Sequence, residues 1–521
     1  LFTMSAIITD QIRILNAKNF VAGIGATSNS YYSFIGLPNP SDVQSDWDES
    51  PPAPKDNFEE EDSYWDTMIA LKKINADDVR QVVRKRTWTS GTIYDMYRGD
   101  YSSSNRAKIS GATNLYSASF YVLNSDFRLY ECLQNGTDPD NPNGKPSLDE
   151  PTFTDLEPRT AGSSGDGYIW KYLYTIKPSD IVKFESTDFL PVPKDWGTSI
   201  DTSSVRNNAV NGSLKIVTVT NRGTAIGNTA TSYTNVPIKG NGSGAKCTVV
   251  VNNEYKIDSV TVTTQGSGYT YGSVDLEAGG VPTGTEIPTF DVIIPPEGGH
   301  GADIYRELGA YNVLLYSRIE NDTENPDFIT GNQIARVGLV ENPRVTDSTL
   351  LTSDKASAVP ALRLTGVGYS SANFTADTLI RQTIGTGKTA VGKVISYDSN
   401  TGVLKYWQDK SLAGFTTVGA AITNPTYGYE LLQFTSTPSG VGNLTIVPDS
   451  GTNSNLGIDT VFSGISTVIN NRTYNLGQSF VSGIAGPEAK KYSGNIIYVD
   501  NRPSITRSVN QKEDIKIILQ F

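Results

Sequence analysis

His300 is the only histidine of this chain and the first residue to consider for chemistry. It lies in Pro295-Pro296-Glu297-Gly298-Gly299-His300-Gly301, a glycine-rich stretch without a serine or cysteine nucleophile signature beside it. A catalytic triad or a histidine-based metal site would have to be built around this one imidazole. The pattern indicates a loop. We therefore expect no catalytic residue, no metal site and no enzyme activity.

The segment Gly385-Thr386-Gly387-Lys388-Thr389 ends like a phosphate-binding loop, in which backbone N–H groups cradle a nucleotide. Gln382 stands where that motif requires its first glycine. The residues that follow, 390–395, are predicted to continue as a strand, so no helix N-terminus would receive a phosphate. We expect no nucleotide and no other cofactor.

Two acidic segments have simple structural explanations. Gly165-Asp166-Gly167 lacks the alternating carboxylates of a calcium loop and indicates a tight turn. The acids of residues 59–62 precede residues 64–73, which are apolar at three- and four-residue spacing and end in lysines. A helix dipole favours this order of charges, so a helix is predicted there rather than a metal site. No spacing among the other carboxylates singles out a glycosidase-like pair.

A second short helix is predicted to begin near Asn75 or Asp77, with Val79, Val82 and Val83 facing inward. Basic residues crowd one end of this segment. They are either the solvated end of a helix or a contact for a partner's carboxylates or a phosphate. These basic residues are Arg80, Arg84, Lys85 and Arg86.

Composition narrows the class of protein. The 521 residues include 48 glycines and many aromatic residues but only 3 methionines. This composition favours strands and turns. The net charge is 43 − 55 = −12, which disfavours a nucleic-acid or anionic-membrane binder. Cys132 and Cys247 are too few for a disulfide framework and are expected to be reduced. No apolar run reaches the length of a membrane span, so we expect a soluble protein made in a cytoplasm.

Alternation of apolar residues and turn signals predict several strands. In the last of the internal strands, Tyr168, Trp170, Tyr172, Tyr174 and Ile176 form one face, which we expect to be buried. Asn124-Ser125-Asp126 is predicted to be a hairpin turn, and Asn501-Arg502-Pro503 a turn that ends pairing. The predicted strands are residues 31–36, 92–97, 120–123, 127–133, 168–176, 496–499 and 514–521.

Two stretches change composition toward valine, threonine and glycine. Residues 213–294 predict a small all-β module, because short alternating runs are separated by glycine-rich turns. Residues 350–483 show similar punctuation and predict a second β-rich stretch. Neither has a period regular enough for a solenoid.

Several of these segments together resemble a known family, the baseplate wedge subunit of contractile-tailed bacteriophages, the gene-eight product of the T-even type. The most specific part is Ser493-Gly494-Asn495-Ile496-Ile497-Tyr498-Val499-Asp500-Asn501-Arg502-Pro503, followed by Gln511, Glu513, Ile515, Ile517 and Phe521. A second part is Gly165-Asp166-Gly167-Tyr168 with Trp170, Tyr172 and Leu173, extended by residues 187–193. Weaker similarity covers residues 20–24, Trp65 with Met68, Arg84, Arg86 to Trp88, and residues 331–343.

The resemblance implies a mainly β fold with an immunoglobulin-like sandwich core, a small helical part and inserted β modules. The family core would comprise residues 1–207, 299–348 and 485–521, and the insertions residues 208–298 and 349–484. The residues that carry the family motifs are also the candidate interface residues. They are Trp65, Arg84, Arg86, Trp88, Gly165, Asp166, Gly167, Tyr168, Trp170, Tyr498, Asn501, Arg502, Pro503 and Phe521.

The resemblance further implies a virion structural protein of the tail baseplate, made in the host bacterial cytoplasm. It would form a homodimer and contact other baseplate wedge proteins, without binding nucleic acid. A second hypothesis is that the insertions bind host glycans and act as an adhesion module. A third, a cell-envelope hydrolase, is disfavoured by the single histidine. We also expect Arg502 to be positioned for a carboxylate and the last strand to complete the core sandwich.

Overall fold

A computed structural model describes residues 7–39, 45–198, 203–320, 328, 333–345, 347–372, 374–385, 388–407, 445–448, 456–508 and 511–521. The structure is mainly β, with 39% strand and 11% helix. The prediction of a mainly β, sandwich-like fold with a small helical part is confirmed. Among the described helices, none is long and apolar enough to cross a membrane.

The chain divides into two compact units. The first unit comprises Val79–Leu314 with the described parts of Leu1–Val21 and Ile517–Phe521. The second comprises Ala22–Asp78 and the described parts of Leu315–Lys516. The division into a family core and two insertions at residues 208–298 and 349–484 stays a prediction.

The helices and strands of the first unit, and those that continue across its boundaries, are as follows: α1 (Asp10–Ile24), β3 (Val79–Arg84), β4 (Tyr121–Leu123), β5 (Arg128–Asn135), β6 (Tyr168–Thr175), α3 (Pro178–Phe184), β7 (Phe189–Pro191), α4 (Ser203–Asn208), β8 (Val217–Asn221), β9 (Thr231–Gly240), β10 (Lys246–Val251), β11 (Ile257–Thr264), β12 (Gly272–Val274), β13 (Thr289–Val292), α5 (Ile304–Leu308), β14 (Asn312–Glu320) and β27 (Lys512–Gln520).

Three antiparallel groups of strands organise the first unit. A three-stranded sheet has the order β4-β5-β6, and its buried aromatic residues form the main core. A four-stranded sheet, β11-β10-β9-β12, and the pair β13-β8 enclose a separate apolar core drawn from residues 214–281. A further sheet has the order β27-β14-β3-β7. The predicted β module at residues 213–294 is therefore formed by β8 to β13.

The second unit contains β1 (Tyr31–Gly36), α2 (Phe58–Thr67), β2 (Met68–Ile74), β15 (Gln333–Glu341), β16 (Lys355–Ser357), β17 (Ala361–Thr365), β18 (Leu379–Gly385), β19 (Lys388–Asp398), β20 (Val403–Trp407), β21 (Thr445–Pro448), β22 (Leu456–Ile458), β23 (Gly464–Ile469), β24 (Arg472–Phe480), β25 (Ile484–Ala485) and β26 (Asn495–Thr506). Its five-stranded sheet has the order β16-β2-β1-β15-β26. In its seven-stranded sheet, β20-β19-β18-β21-β22-β17-β25, an additional pairing of β17 with β20 closes six strands into a ring. The strands β23 and β24 form a separate hairpin.

The predicted helix at residues 64–73 is only partly correct. Asn57 caps α2 by accepting the N–H of Glu60, so the acidic residues do occupy the first turn of a helix. The helix ends at Thr67, however, and Met68 begins β2. Residues 68–71 are fully buried between β1 and β16, and burial on both faces produces an apolar run that resembles helical spacing.

The predicted helix after Asn75 is wrong. Asn75 and Asp78 form a turn, in which the Asp78 N–H donates to the Asn75 carbonyl, and β3 begins at Val79. The valines of this segment are β-branched, and pairing of β3 with β7 outweighs the helical spacing. The predicted strand at residues 92–97 is absent as well. There the backbone is irregular, and the Tyr97 N–H donates to the Cys132 carbonyl instead of joining a ladder.

The predicted turn at Asn501, Arg502 and Pro503 is also wrong, because β26 runs through all three residues. Proline lacks the N–H that a central strand needs, but β26 is an edge strand of its sheet. Its pairing with β15 also shifts register between Ile334 and Arg336, close to this proline. An edge position beside a bulge removes the conflict. The final strand, β27, and the hairpin turn between β4 and β5 are confirmed.

At Gly167 the backbone of the first unit lies close to the backbone at Gly136. Its φ is +84°, and a Cβ there would lie 2.9 Å from the Gly136 Cα. Gly165 has a similar φ of +72° but open space around it. We expect Gly167→Ala to lower the free energy of unfolding by about 3 kcal/mol and Gly165→Ala by about 1 kcal/mol. Urea denaturation followed by tryptophan fluorescence measures both, and equal losses would contradict the close approach.

Candidate functional site

His300 lies at the centre of a buried ionic cluster in the first unit. Its Nδ1 is 2.9 Å from an Oε2 of Glu131 and 2.9 Å from an Oε1 of Glu307. The side chains of all three residues are at most 3% exposed. The loop prediction for His300 is correct for the backbone, but the sequence did not indicate the two carboxylates that surround the imidazole.

Three different elements position the cluster. Glu131 projects from β5, Glu307 from the short helix α5, and His300 from the glycine-rich loop between β13 and α5. The Gly301 N–H donates to the second carboxylate oxygen of Glu307 at 2.7 Å. The ring of Tyr97 packs edge-on against the imidazole, with the ring centroids 4.8 Å apart. Glu131 is 169 positions from His300 in sequence, so no local pattern could reveal this pair.

Lys171 is a buried neighbour of the cluster on β6, and its ammonium group donates to the Leu156 carbonyl. It pairs directly with Glu131 in the register of β5 and β6, which places both side chains on one face of the sheet. Lys171 lies outside the face of β6 that was predicted to be buried, yet it is only 2% exposed, whereas Tyr172 of the predicted face is only half-buried. Register shifts within the β5–β6 pairing interrupt the simple alternation, and burial lowers the pKa of the lysine.

The cluster holds its protons more tightly than free side chains do. Burial, followed by repulsion from Glu307, raises the pKa of Glu131 to about 8. Burial alone would lower the pKa of His300, but the two neighbouring carboxylates outweigh burial and raise it to about 9. The imidazole is therefore cationic at neutral pH and neutralises carboxylate charge inside the core.

The same three residues are the one group of potential metal ligands found in the described parts of the chain. Two carboxylates and an imidazole are ligand types that a divalent transition metal accepts. A metal ion binds the deprotonated forms of these groups, so it would displace the protons that His300 and Glu131 hold at neutral pH.

Another buried cation, Arg336, connects distant segments of the second unit, and no sequence pattern indicated it. Arg336 is 1% exposed, and its guanidinium donates to the side-chain oxygens of Asn501 at 2.9 Å and Asn39 at 3.1 Å. It also donates to Thr67 and lies against the rings of Trp47 and Tyr64. Desolvation lowers its pKa to about 10.

Asn501, a residue of the family motif, is therefore a partner of Arg336. Its amide group also donates to the Pro52 carbonyl at 2.9 Å, which ties the segment before α2 to β26. Arg502 pairs with the carboxylate of Asp500, as expected, but its side chain is 63% exposed. Pro503 is exposed and Tyr498 is half-buried on the same strand. Trp65 is fully buried in the core of this unit.

The glycine and aromatic motif of residues 165–170 builds the core of the first unit. Asp166 accepts the N–H groups of Tyr168 and Leu148 through its two carboxylate oxygens, which fixes the turn. Tyr168 and Trp170 stack with centroids 5.2 Å apart, and both are fully buried. Gly165 and Gly167 supply positive φ angles to the same turn. The expected tight turn is confirmed, and the motif is structural.

The basic residues of β3 and the segment after it are engaged within the first unit. Arg80 pairs with Asp180 at 3.2 Å and Lys85 with Glu185 at 2.5 Å. Arg84 lies over the ring of Phe189, and Arg86 over the ring of Tyr121. Trp88 is half-buried and donates to the Ser147 hydroxyl. Phe521 is half-buried against Phe20.

The two cysteines and the strand after the Gly-Lys-Thr segment agree with the sequence predictions. Cys132 and Cys247 are both unpaired and buried, as expected for reduced thiols. The strand expected after the Gly-Lys-Thr segment is present, because β19 begins at Lys388 and pairs with β18. Thr386 and Gly387 of that segment lie outside the described residues, as do Gly331 and Asn332 of the weaker family similarity.

No protein-family model matches this chain, and no curated protein sequence matches it significantly. The resemblance to the wedge family therefore depends on the motifs alone. The structure distributes these motifs over both units rather than gathering them into one site.

Arg336 gives a test of the second unit. We expect Arg336→Met to lower the free energy of unfolding by about 3 kcal/mol, because the oxygens of Asn501 and Asn39 lose a buried donor. Arg502→Met is the matched control on the adjacent strand and should change stability by less than about 0.5 kcal/mol, since its side chain is exposed. Chemical denaturation of both variants measures the difference. If Arg336→Met lost as little free energy of unfolding as the control, Arg336 would not stabilise the second unit through these hydrogen bonds.

Proposed function

We propose that this chain is a structural subunit of the baseplate wedge of a contractile-tailed bacteriophage. It would hold neighbouring wedge proteins and relay their rearrangement when the tail contracts. The observation that carries the proposal is the closing segment of residues 493–503, which resembles the family most specifically. Its Asn501 is a partner of the buried Arg336, so the motif coincides with a structural requirement of the second unit.

The distribution of the motif residues supports a role in assembly rather than catalysis. The fully buried ones, Trp65, Tyr168 and Trp170, form cores, while Gly165 and Gly167 shape a turn. The buried ionic cluster around His300 has side chains at most 3% exposed, so a substrate could not reach it without opening the fold. Assembly proteins depend on large rigid surfaces, and both units present sheet scaffolds of that kind.

The proposed partners follow from the same argument. We propose a homodimer that contacts other wedge proteins in the virion baseplate, after synthesis in the bacterial cytoplasm. The acidic net charge of −12 favours protein partners over nucleic acid. Of the candidate anchors, the basic residues 80–86 are less available than expected, since their side chains contact acidic and aromatic residues of their own unit.

Light scattering tests this function. The purified chain should have twice the chain mass of 56.3 kDa. After mixing with the wedge proteins encoded beside it, it should enter a larger complex of defined stoichiometry. A capsid protein from the same phage is the control and should not join. A monomer that ignores every wedge protein would contradict the proposal.

A second candidate function, glycan binding by the inserted module, is favoured by one groove. A cavity of about 330 Å³ in the first unit is lined by residues of β8, by Asp291 of β13 and by two neighbouring loops. Arg98 spans its edge, paired with Asp100 at 2.7 Å and also with Asp291. The lining combines both charges with hydroxyl and amide groups, which suits an uncharged polyhydroxyl ligand.

A glycan array probed with the full chain tests this second function. Binding to a host polysaccharide should weaken at least about tenfold in Asp291→Ala, because a charged hydrogen bond to a ligand contributes roughly this much. Val468→Ala, at an exposed position of the second unit, is the control and should bind as the parent chain does. No binding to any host polysaccharide would remove the hypothesis.

A further inference from the structure

The ionic cluster of Glu131, His300 and Glu307 contains a carboxylate oxygen that no protein group uses. Oε1 of Glu131 is buried and has no hydrogen-bond partner among the described residues. Lys171 does not supply that partner, because its Nζ donates to the Leu156 carbonyl. A buried carboxylate oxygen without a partner costs free energy, so a ligand that contacts it would stabilise the fold.

The cluster offers four donor atoms to a ligand of this kind. Nδ1 of His300 lies 2.9 Å from Oε2 of Glu131 and 2.9 Å from Oε1 of Glu307. The ligand atoms of the three residues all lie within 4.8 Å of one another. The fourth donor is the unpartnered Oε1 of Glu131. The last carboxylate oxygen, Oε2 of Glu307, is already used, since it accepts the Gly301 N–H at 2.7 Å.

This set of donors matches the coordination of zinc. Structural zinc sites take four donors, and zinc bonds to imidazole nitrogen and carboxylate oxygen are about 2.0–2.2 Å long. Bonds of that length in a tetrahedron separate the donor atoms by about 3.4 Å. The donor atoms that are 2.9 Å apart would therefore move by about half an ångström to admit the ion.

Charge and solvent access favour the same ion. Two ionised carboxylates balance a divalent ion bound to a neutral imidazole, so these groups together bury no net charge. The side chains are at most 3% exposed, so water could not complete the larger oxygen shell that Mg²⁺ or Ca²⁺ requires. The Gly301 N–H orients Glu307, and the Tyr97 ring packs edge-on against the imidazole.

We propose that Glu131, His300 and Glu307 form a structural zinc site, with His300 bound through Nδ1, Glu131 through both oxygens and Glu307 through Oε1. The single histidine predicts no histidine-based metal site, but here the other ligands are glutamates. The ion would join β5, the loop before α5 and α5 itself. The site does not depend on the proposed function, since a structural ion would stabilise the first unit whatever its partners are.

The metal content of the full chain tests the site. The chain is made in zinc-supplemented medium, dialysed against metal-free buffer and measured by inductively coupled plasma mass spectrometry. About one zinc ion per chain is expected. X-ray absorption at the zinc edge should show only nitrogen and oxygen neighbours, at about 2.0–2.2 Å. A thiolate of Cys132 or Cys247 would instead give a sulfur neighbour at about 2.3 Å.

Two variants and a matched control locate the ion. Glu131→Gln and His300→Gln each replace a ligand by an amide, so the zinc retained against a weak chelator should fall at least about tenfold. Glu297→Gln is the control, because its carboxylate belongs to the same loop but is 74% exposed and pairs with Arg306. This control should retain zinc as the parent chain does. Zinc should also raise the melting temperature of the chelator-stripped parent, but not that of the two ligand variants.

Several results would overturn the proposal. One is a parent chain that folds without zinc and whose melting temperature zinc does not change, a result that needs no variant to fold. Sulfur neighbours would place the ion at a cysteine, and equal retention by all three variants would place it elsewhere on the chain. A parent chain that holds calcium or magnesium would contradict the assignment of the ion. If both ligand variants fail to fold, the metal content and the absorption spectrum of the parent chain still decide.

Discussion

The pairing of β15 with β1 and β26 is the interaction on which the second unit depends. It joins residues 31–36, 333–341 and 495–506 into neighbouring strands, although they are hundreds of positions apart. Closing such distant loops costs conformational entropy that only extensive pairing and burial can offset. Arg336 stands in the middle of β15, opposite Gly36 on one side and Asn501 on the other. The buried cation therefore lies on the strand that joins β1 to β26.

In each unit a buried cation connects segments that are distant in sequence. In the second unit Arg336 contacts neutral oxygens and aromatic rings, so it keeps its charge without a carboxylate partner. In the first unit His300 lies between two glutamates. The first arrangement is insensitive to pH in the physiological range, because a guanidinium with a pKa of about 10 remains charged. The second arrangement is sensitive to pH, because the pKa of His300 is about 9 and the pKa of Glu131 is about 8.

Several residues of the family motifs have a structural role in their own unit. Asn501 is needed for Arg336, and Asp166 is needed for the turn that leads into Tyr168 and Trp170. The β module of residues 213–294 has an apolar core of its own, drawn from residues 214–281. It contacts the rest of the first unit through backbone hydrogen bonds and through ion pairs such as Arg98–Asp291 and Lys215–Glu157. Ile216 and Ile293 of this module are buried in the aromatic core, so the module and that core are packed together.

The sequence by itself determined the mainly β class, the buried strands β1 and β6, the hairpin of β4 and β5, the final strand and the strand that begins at Lys388. These features depend on local alternation, turn residues and spacing, which act within a few positions. The structure alone decided that residues 79–84 form a strand, that β26 continues through Pro503, and that Glu131 meets His300 and Glu307. Those outcomes depend on which distant strand lies alongside and on which charges share a buried site. A local pattern contains no information about either, so only the tertiary structure could decide them.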